Sequence, residues 1–494
     1  MERTLRLLEF DKVKGEVAHL ATTQLGREKA ETLEPSFDRK QVDEALQATD
    51  EALHALRIKG DPPFGGIQDI RSLVMRARVN SRLDGPELVA VADTLSGGRK
   101  LKQYLRQVAQ EKESPLLSRL EEAIAPLKEG EEAIRSSLDP QGEVLDEASP
   151  ALAQIRHRIK NLEQRIRARL EEMVRSPSWQ KMLQEPIFTI RNDRYCLPVK
   201  AEYRHAFKGL IHDESASGAT FFIEPEGIVT LSNELNEAKR AEEKEVDRIL
   251  RQLTAQIGKE SDRLAENLEA LAELDFIFAK AYYARKIKGV LPRINEKGYF
   301  KLLNARHPFI PEGEVVPNTI ELGGAYTCLV ITGPNTGGKT VTLKTLGLLT
   351  LMACSGLFVP AEEGTEVAVS PVYADIGDEQ SIEQSLSTFS SHMCHIVRMM
   401  GQVEANSLVL LDEVGAGTDP AEGAALAMAI LDAMIQKGAR VVATTHYGEL
   451  KAFAYTRPGV INASVEFDVD TLQPTYRLLL GVPGRSHALY IAAK

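Results

Sequence analysis

Four cysteines in 494 residues are too few and too scattered for a disulfide framework. Cys196, Cys328, Cys354 and Cys394 form no C-x-x-C pair, which argues against a zinc site and for reduced thiols in a cytoplasmic protein. No stretch reaches the run of about 18 apolar residues that a membrane-crossing helix needs. The first residues, MERTLRLLEFDKVKGEV, mix charges from the start and lack an apolar core of signal-peptide length. Positive charge is not in excess either: 60 Lys and Arg stand against 71 Asp and Glu, a net charge of −11. Bulk charge therefore gives no reason to expect nucleic-acid binding, and any such contact needs a local basic surface. The length allows roughly two to four domains.

What is present is concentrated in Thr327–Gly347, TCLVITGPNTGGKTVTLKTLG. Leu329, Val330 and Ile331 are a short apolar run of the kind a buried parallel strand shows. It leads into Gly333, Pro334, Asn335, Thr336, Gly337, Gly338, Lys339 and Thr340, which fit G-x-x-x-x-G-K-[ST]. Apolar residues at helical spacing follow from Val341 to Leu351. Strand, glycine loop and helix come in the order that cradles phosphates. Backbone N–H groups face the oxygens where a Cβ would obstruct them. Lys339 adds a point charge, Thr340 a hydroxyl for Mg²⁺, and the helix start a positive partial charge. The stretch reads as a nucleotide site.

Further motifs suit the same chemistry. Ser407–Glu413 is an apolar strand ending in two acids, Asp412 placed for the Mg²⁺ shell and Glu413 to polarise an attacking water. Val441–His446 is another strand, whose terminal His446 is placed to touch the γ-phosphate. Gln380, in Asp378-Glu379-Gln380, is a candidate sensor of Mg²⁺ or the water. The segment Ser385-Leu-Ser387-Thr-Phe-Ser390-Ser-His-Met opens a helix with hydroxyls and free N–H groups, an anion-binding start with no ligand in its own site. A turn, Gly415-Ala-Gly-Thr418-Asp419-Pro420, follows Glu413.

The first 125 residues read as a helical scaffold, with one periodic face at Leu5, Leu8, Phe10, Val13 and Val17 and no catalytic constellation. From Leu152 the steps Ile155, Ile159, Leu162, Ile166, Leu170 and Met173 resemble a coiled-coil seam. A helix of about 25 residues reaches about 37 Å. Its outer face is basic, which fits either a solvated face or a nucleic-acid contact. A second long helical region carries Val246, Leu250, Leu253, Ile257, Leu264, Leu268 and Leu271, with Gly258 expected as a kink. The segment between, Phe188–Pro225, is rich in strand formers and turn residues. There Arg191, Arg194, Lys200, Arg204 and Lys208 stand among Tyr195, Tyr203 and Phe207. That mixture suits a phosphate backbone, and it equally suits a small β cap kept soluble by its charges.

Together GPNTGGKT, DEQ, STFSSHM, LLDEVGAGTDP and TTH resemble the ATPase domain of MutS proteins. GAGTDP and the RNDRYCLPVK…HDESASGATFFIEP insert resemble the bacterial MutS-two branch in particular. The resemblance implies an α/β ABC-type P-loop ATPase domain at residues 291–494. It also implies a helical core or lever at 1–150, paired arm helices at 151–187 and 228–290, and a β-rich clamp at 188–227. It implies a homodimer that sandwiches ATP and Mg²⁺, each phosphate loop facing Ser387 of the other chain. The family is implicated in binding branched or double-stranded DNA and restraining recombination, and in splitting collided ribosomes. No mismatch-reading domain and no C-terminal Smr nuclease domain is matched, so neither activity is expected of these residues, and the chain is expected to be a truncated form. A structural tether of the SMC kind is the alternative, but its arms run to hundreds of residues. A transporter ATPase leaves the N-terminal half unexplained.

Overall fold

The computed structural model describes residues 2–333, 337–377, 385–468 and 473–483, as a mixed α/β protein with three sheets and many helices. Its contacts fall into two compact units. One comprises residues 1–65, 99–124 and 267–494, the other residues 66–98 and 125–266. Residues 1–150 are thus divided between both.

The first unit is built on a six-stranded sheet. Its spatial order is Val372–Asp375, Leu408–Leu411, Arg440–Thr445, Cys328–Thr332, Val460–Asp468 and Gln473–Leu480. The first five strands are parallel, and the last pairs antiparallel at the edge. Helices cover both faces, so the central strands are apolar on both sides. Leu329 and Ile331 pack into one core, while Cys328 and Val330 pack into the other. The first core also takes Leu8, Phe10, Val13 and Val17 from the N-terminal helices, against Leu343, Leu346 and Leu349. Each such side chain contributes roughly 1.5–3 kcal/mol on burial, which ties residues 1–65 into this unit. A four-stranded sheet, Arg293–Asn295, Glu366–Ala368, Phe300–Ala305 and Asn318–Leu322, completes it.

The second unit pairs two long helices, Pro150–Arg175 and Glu226–Lys259. Arg156 meets Glu242 at 2.7 Å and Lys239 meets Glu163 at 3.7 Å, so the helices run antiparallel. Leu162, Ile166 and Leu170, on the seam expected of the first helix, pack with Ile228, Leu231 and Leu235, which precede the positions expected of the second. Leu264, Leu268 and Leu271 lie on a separate helix, Ser261–Lys286. Gly258, expected as a kink, lies in the last turn of Glu226–Lys259, which gives way after Glu260 to that separate helix. Glycine at 258 serves a close approach, since a Cβ there would lie 2.4 Å from the Ala77 carbonyl oxygen. The insert is a four-stranded antiparallel sheet in the order Thr189–Arg191, Arg194–Lys200, Thr220–Pro225 and Gly209–Glu214. Asn192 and Asp193, at φ 47° and 57°, make the two-residue turn of its first hairpin. Among the described residues no helix is long and apolar enough to cross a membrane.

Candidate functional site

The register of the parallel sheet decides which side chains meet. Thr332 pairs with Thr445, so those two strands end level, while Leu411 pairs with Ala443 and its strand stops short, which leaves Asp412 beside Thr444. The residues just beyond, Gly333, Asp412 and His446, therefore gather at one edge, where open α/β sheets bind their ligands. The helix Lys339–Cys354 starts there, capped by Gly338 at φ 88°. A side chain at 338 would be strained by that backbone and would meet the Tyr476 ring at 2.9 Å.

Lys339 is 1% exposed and donates to the Gly333 carbonyl oxygen at 2.7 Å. Its Nζ lies 3.4 Å from each ring nitrogen of His446. Burial pushes its pKa down to about 8, and Glu413 and then Asp412 offset only part of that. Thr340 donates its hydroxyl to Asp412 Oδ2 at 2.7 Å. The other carboxylate oxygen of Asp412 accepts from Thr444 Oγ1. That same Thr444 oxygen accepts from the Glu413 backbone N–H at 2.8 Å. Glu413 has φ 47°, a left-handed backbone uncommon outside glycine. Its Oε1 is 3.2 Å from His446 Nε2, and both side chains keep access to solvent at 28% and 44% exposure.

Lys339, Thr340, Asp412, Glu413 and His446 are thus brought together. Pro334, Asn335, Thr336 and Gln380 lie outside the described residues, as does the side chain of Ser387. The helix carrying Ser387, Ser385–Gln402, is anchored by histidines. His392 Nδ1 is 2.8 Å and His395 Nδ1 3.1 Å from the buried Asp375 carboxylate. Asp375 in turn accepts the Asp412 N–H at its carbonyl, at 2.8 Å. Burial pushes the His395 pKa down.

Sequence reasoning missed several of these groups. Thr444 was legible only as part of a strand end, and its bridge between the two acids follows from register. Beside Gly338 and Thr342 lies a cavity of about 460 Å³ lined by His307, Val315, Val316, Asn318 and Tyr476. Tyr476 comes from the antiparallel edge strand, held at φ 59° with its carbonyl accepting from Asn318 Nδ2 at 2.9 Å. No local motif marks it, because its partner is far along the chain.

The five basic residues of the insert are placed differently from one another. Arg191 stacks over Phe222 at 4.5 Å and Arg204 over Phe221 at 4.7 Å. Lys208 is exposed, and Lys200 donates to the Lys181 carbonyl oxygen at 3.3 Å. Arg194 is drawn inward, 3.4 Å from the fully buried Glu224 and 2.8 Å from Asn233. Its charge serves the insert's own fold.

A family model described as MutS domain V matches residues 329–494. The chain is 54% identical, over its full length, to a protein of Halalkalibacterium halodurans named Endonuclease MutS2, of which it covers 63%. It is 56% identical to the Endonuclease MutS2 of Geobacillus sp. strain WCH70 and 55% identical to that of Brevibacillus brevis. Those matches also take in 100% of this chain and 63% of each relative. The chain therefore spans less than two thirds of the length of the curated relatives it matches.

Proposed function

Since the chain belongs to the MutS2 family, we propose that it hydrolyses ATP at the edge of its parallel sheet and uses the cycle to close on a nucleic acid. The observation that carries this is the convergence of Lys339, Thr340, Asp412, Glu413 and His446 beside a glycine loop and a helix start. In this reading the base enters the cavity beside Gly338, with Tyr476 as a stacking face and Val315 and Val316 as apolar walls. The triphosphate follows the loop to Lys339. Thr340 and Asp412 are hard oxygen donors 2.7 Å apart and suit Mg²⁺, which when bound neutralises phosphate charge. Glu413 holds the attacking water and takes its proton, and His446 fixes the carboxylate that does so.

The site is proposed to be completed across a homodimer, with Ser387 at its helix start meeting the γ-phosphate of the other chain. Mixing inactive Ser387→Ala and Lys339→Ala proteins is then expected to restore part of the ATPase activity. One interface of the heterodimer has both halves intact. No gain on mixing, with heterodimers demonstrated, would exclude a shared site.

The β insert is the proposed contact with branched or double-stranded DNA or with ribosomal RNA. Arg191 and Arg204, spread on aromatic rings, and the exposed Lys208 supply local positive charge on an acidic chain. The triple change Arg191→Glu, Arg204→Glu and Lys208→Glu is expected to weaken DNA or ribosome binding at least tenfold and to flatten its salt dependence. Basal ATPase and the melting temperature of the same sample should hold. An unchanged affinity and salt slope in a folded variant would make the insert only a β cap. Parallel titrations with duplex DNA, a four-way junction and ribosomes separate the partners.

A further inference from the structure

Lys280 is a buried amine with no role in the nucleotide chemistry above. It lies on the helix Ser261–Lys286 and is only 3% exposed. Among the described residues its Nζ has no carboxylate or carbonyl partner at hydrogen-bond distance. Its contact is with the Phe276 ring, one turn earlier on the same helix, at 4.8 Å. Glu273, on the same helix, offsets part of the burial cost of Lys280 through its charge, but its carboxylate lies 3.0 Å from Lys29 Nζ. An ammonium held in apolar surroundings without a counter-ion is costly, and such a group either neutralises or takes up an anion. Burial pushes the Lys280 pKa down to about 8, which leaves most of the amine charged at neutral pH.

The amine also borders an open space. A cavity of about 360 Å³ is walled by Leu33, Leu116, Leu120, Phe276 and Ile277, with Lys280 as the buried cation among them. That volume is within the range of small-molecule sites, and the apolar wall is joined by polar groups, Ser36, Gln41, Glu273 and Ser355 among them. Glu34 and Glu44 are exposed residues of the same lining, as is Arg119. Acids on the approach disfavour di- and triphosphates, whose several charges they repel, more than a single carboxylate.

We propose that this cavity is a second ligand site, for a small organic monocarboxylate whose carboxylate pairs with Lys280 Nζ and whose apolar body packs on Leu33, Leu116 and Phe276. Cys354 and Ser355, where the Lys339–Cys354 helix ends, are part of its wall, so the site lies at the opposite end of that helix from the phosphate loop.

The test uses the full chain without ATP, titrated by calorimetry at neutral pH with 3-methylbutanoate and with phenylacetate. One-to-one binding with a dissociation constant near or below about 1 mM is expected. Lys280→Met, which keeps the side-chain length, is expected to weaken it at least tenfold while ATP affinity stays at the wild-type value. Acetic anhydride labelling read by mass spectrometry gives a check that needs no variant: phenylacetate should slow acetylation of Lys280 several-fold and leave exposed lysines unaffected. Absence of saturable binding to the wild-type chain overturns the site. Equal affinity in a folded Lys280→Met protein, no protection of Lys280, or inorganic phosphate binding in place of the carboxylates each does so as well. ATP affinity measured on the same samples keeps this outcome separate from the nucleotide reading.

Discussion

Glu413→Gln is expected to slow ATP hydrolysis roughly 10²–10³-fold while changing ATP affinity by less than about threefold. Glutamine keeps the size of the side chain and its reach toward His446, so what it removes is the capacity to accept a proton. The backbone around it is fixed independently of the carboxylate. The Glu413 N–H donates to Thr444 Oγ1 at 2.8 Å, and the Val414 N–H donates to the Thr444 carbonyl oxygen at 3.1 Å. The left-handed φ of 47° is therefore kept in the variant, and Asp412 keeps its bonds to Thr340 and Thr444. Binding and turnover should separate cleanly, with the variant trapping nucleotide in single-turnover measurements. Turnover at the wild-type rate would remove Glu413 from the reaction.

Lys339→Met is expected to weaken ATP binding roughly 10–100-fold, the usual worth of a charged hydrogen-bond donor on phosphate. The wild-type lysine also predicts a pH dependence. Its folded pKa, about 8 because of burial, lies below the ordinary lysine value of 10.5. Bound phosphates favour the charged amine, so above about pH 8 binding must take up a proton, and affinity should fall by up to about tenfold per pH unit. Stability runs the other way. Between about pH 8 and pH 10.5 the unfolded chain holds the proton that the folded chain has released, so folding stability rises through that window. Below pH 8 both states are charged and the burial penalty is fully present. The Met variant should lose the trend in affinity and keep a shallower rise in stability, the remainder coming from the buried Lys280, which calorimetry and thermal denaturation from pH 7 to 9.5 would reveal. Identical pH profiles in the two proteins would place the titration elsewhere.

Local pattern carried much of this protein. The apolar run at Leu329–Ile331, the glycine loop and the helix after it are contiguous, so the backbone geometry that exposes their N–H groups is written in neighbouring residues. The same holds for the acids after Leu408–Leu411, for the heptad-like spacing of the long helices, and for the hairpin turn at Asn192-Asp193. Periodicity and turn chemistry act over a few residues, and a single sequence displays them directly.

Tertiary structure decided what depends on register and on contacts between distant segments. Thr444 bridges Asp412 and Glu413 only because Leu411 pairs with Ala443, and nothing in either strand alone announces that alignment. The placement of Tyr476 against Gly338, of Arg194 on Glu224, and of Leu8 and Phe10 on the phosphate-loop helix follows from packing. An arginine reads the same in sequence whether it faces solvent or a buried carboxylate. The desolvation that separates the two cases, and that sets the charge of Lys339 and Lys280, exists only once the chain has closed around them.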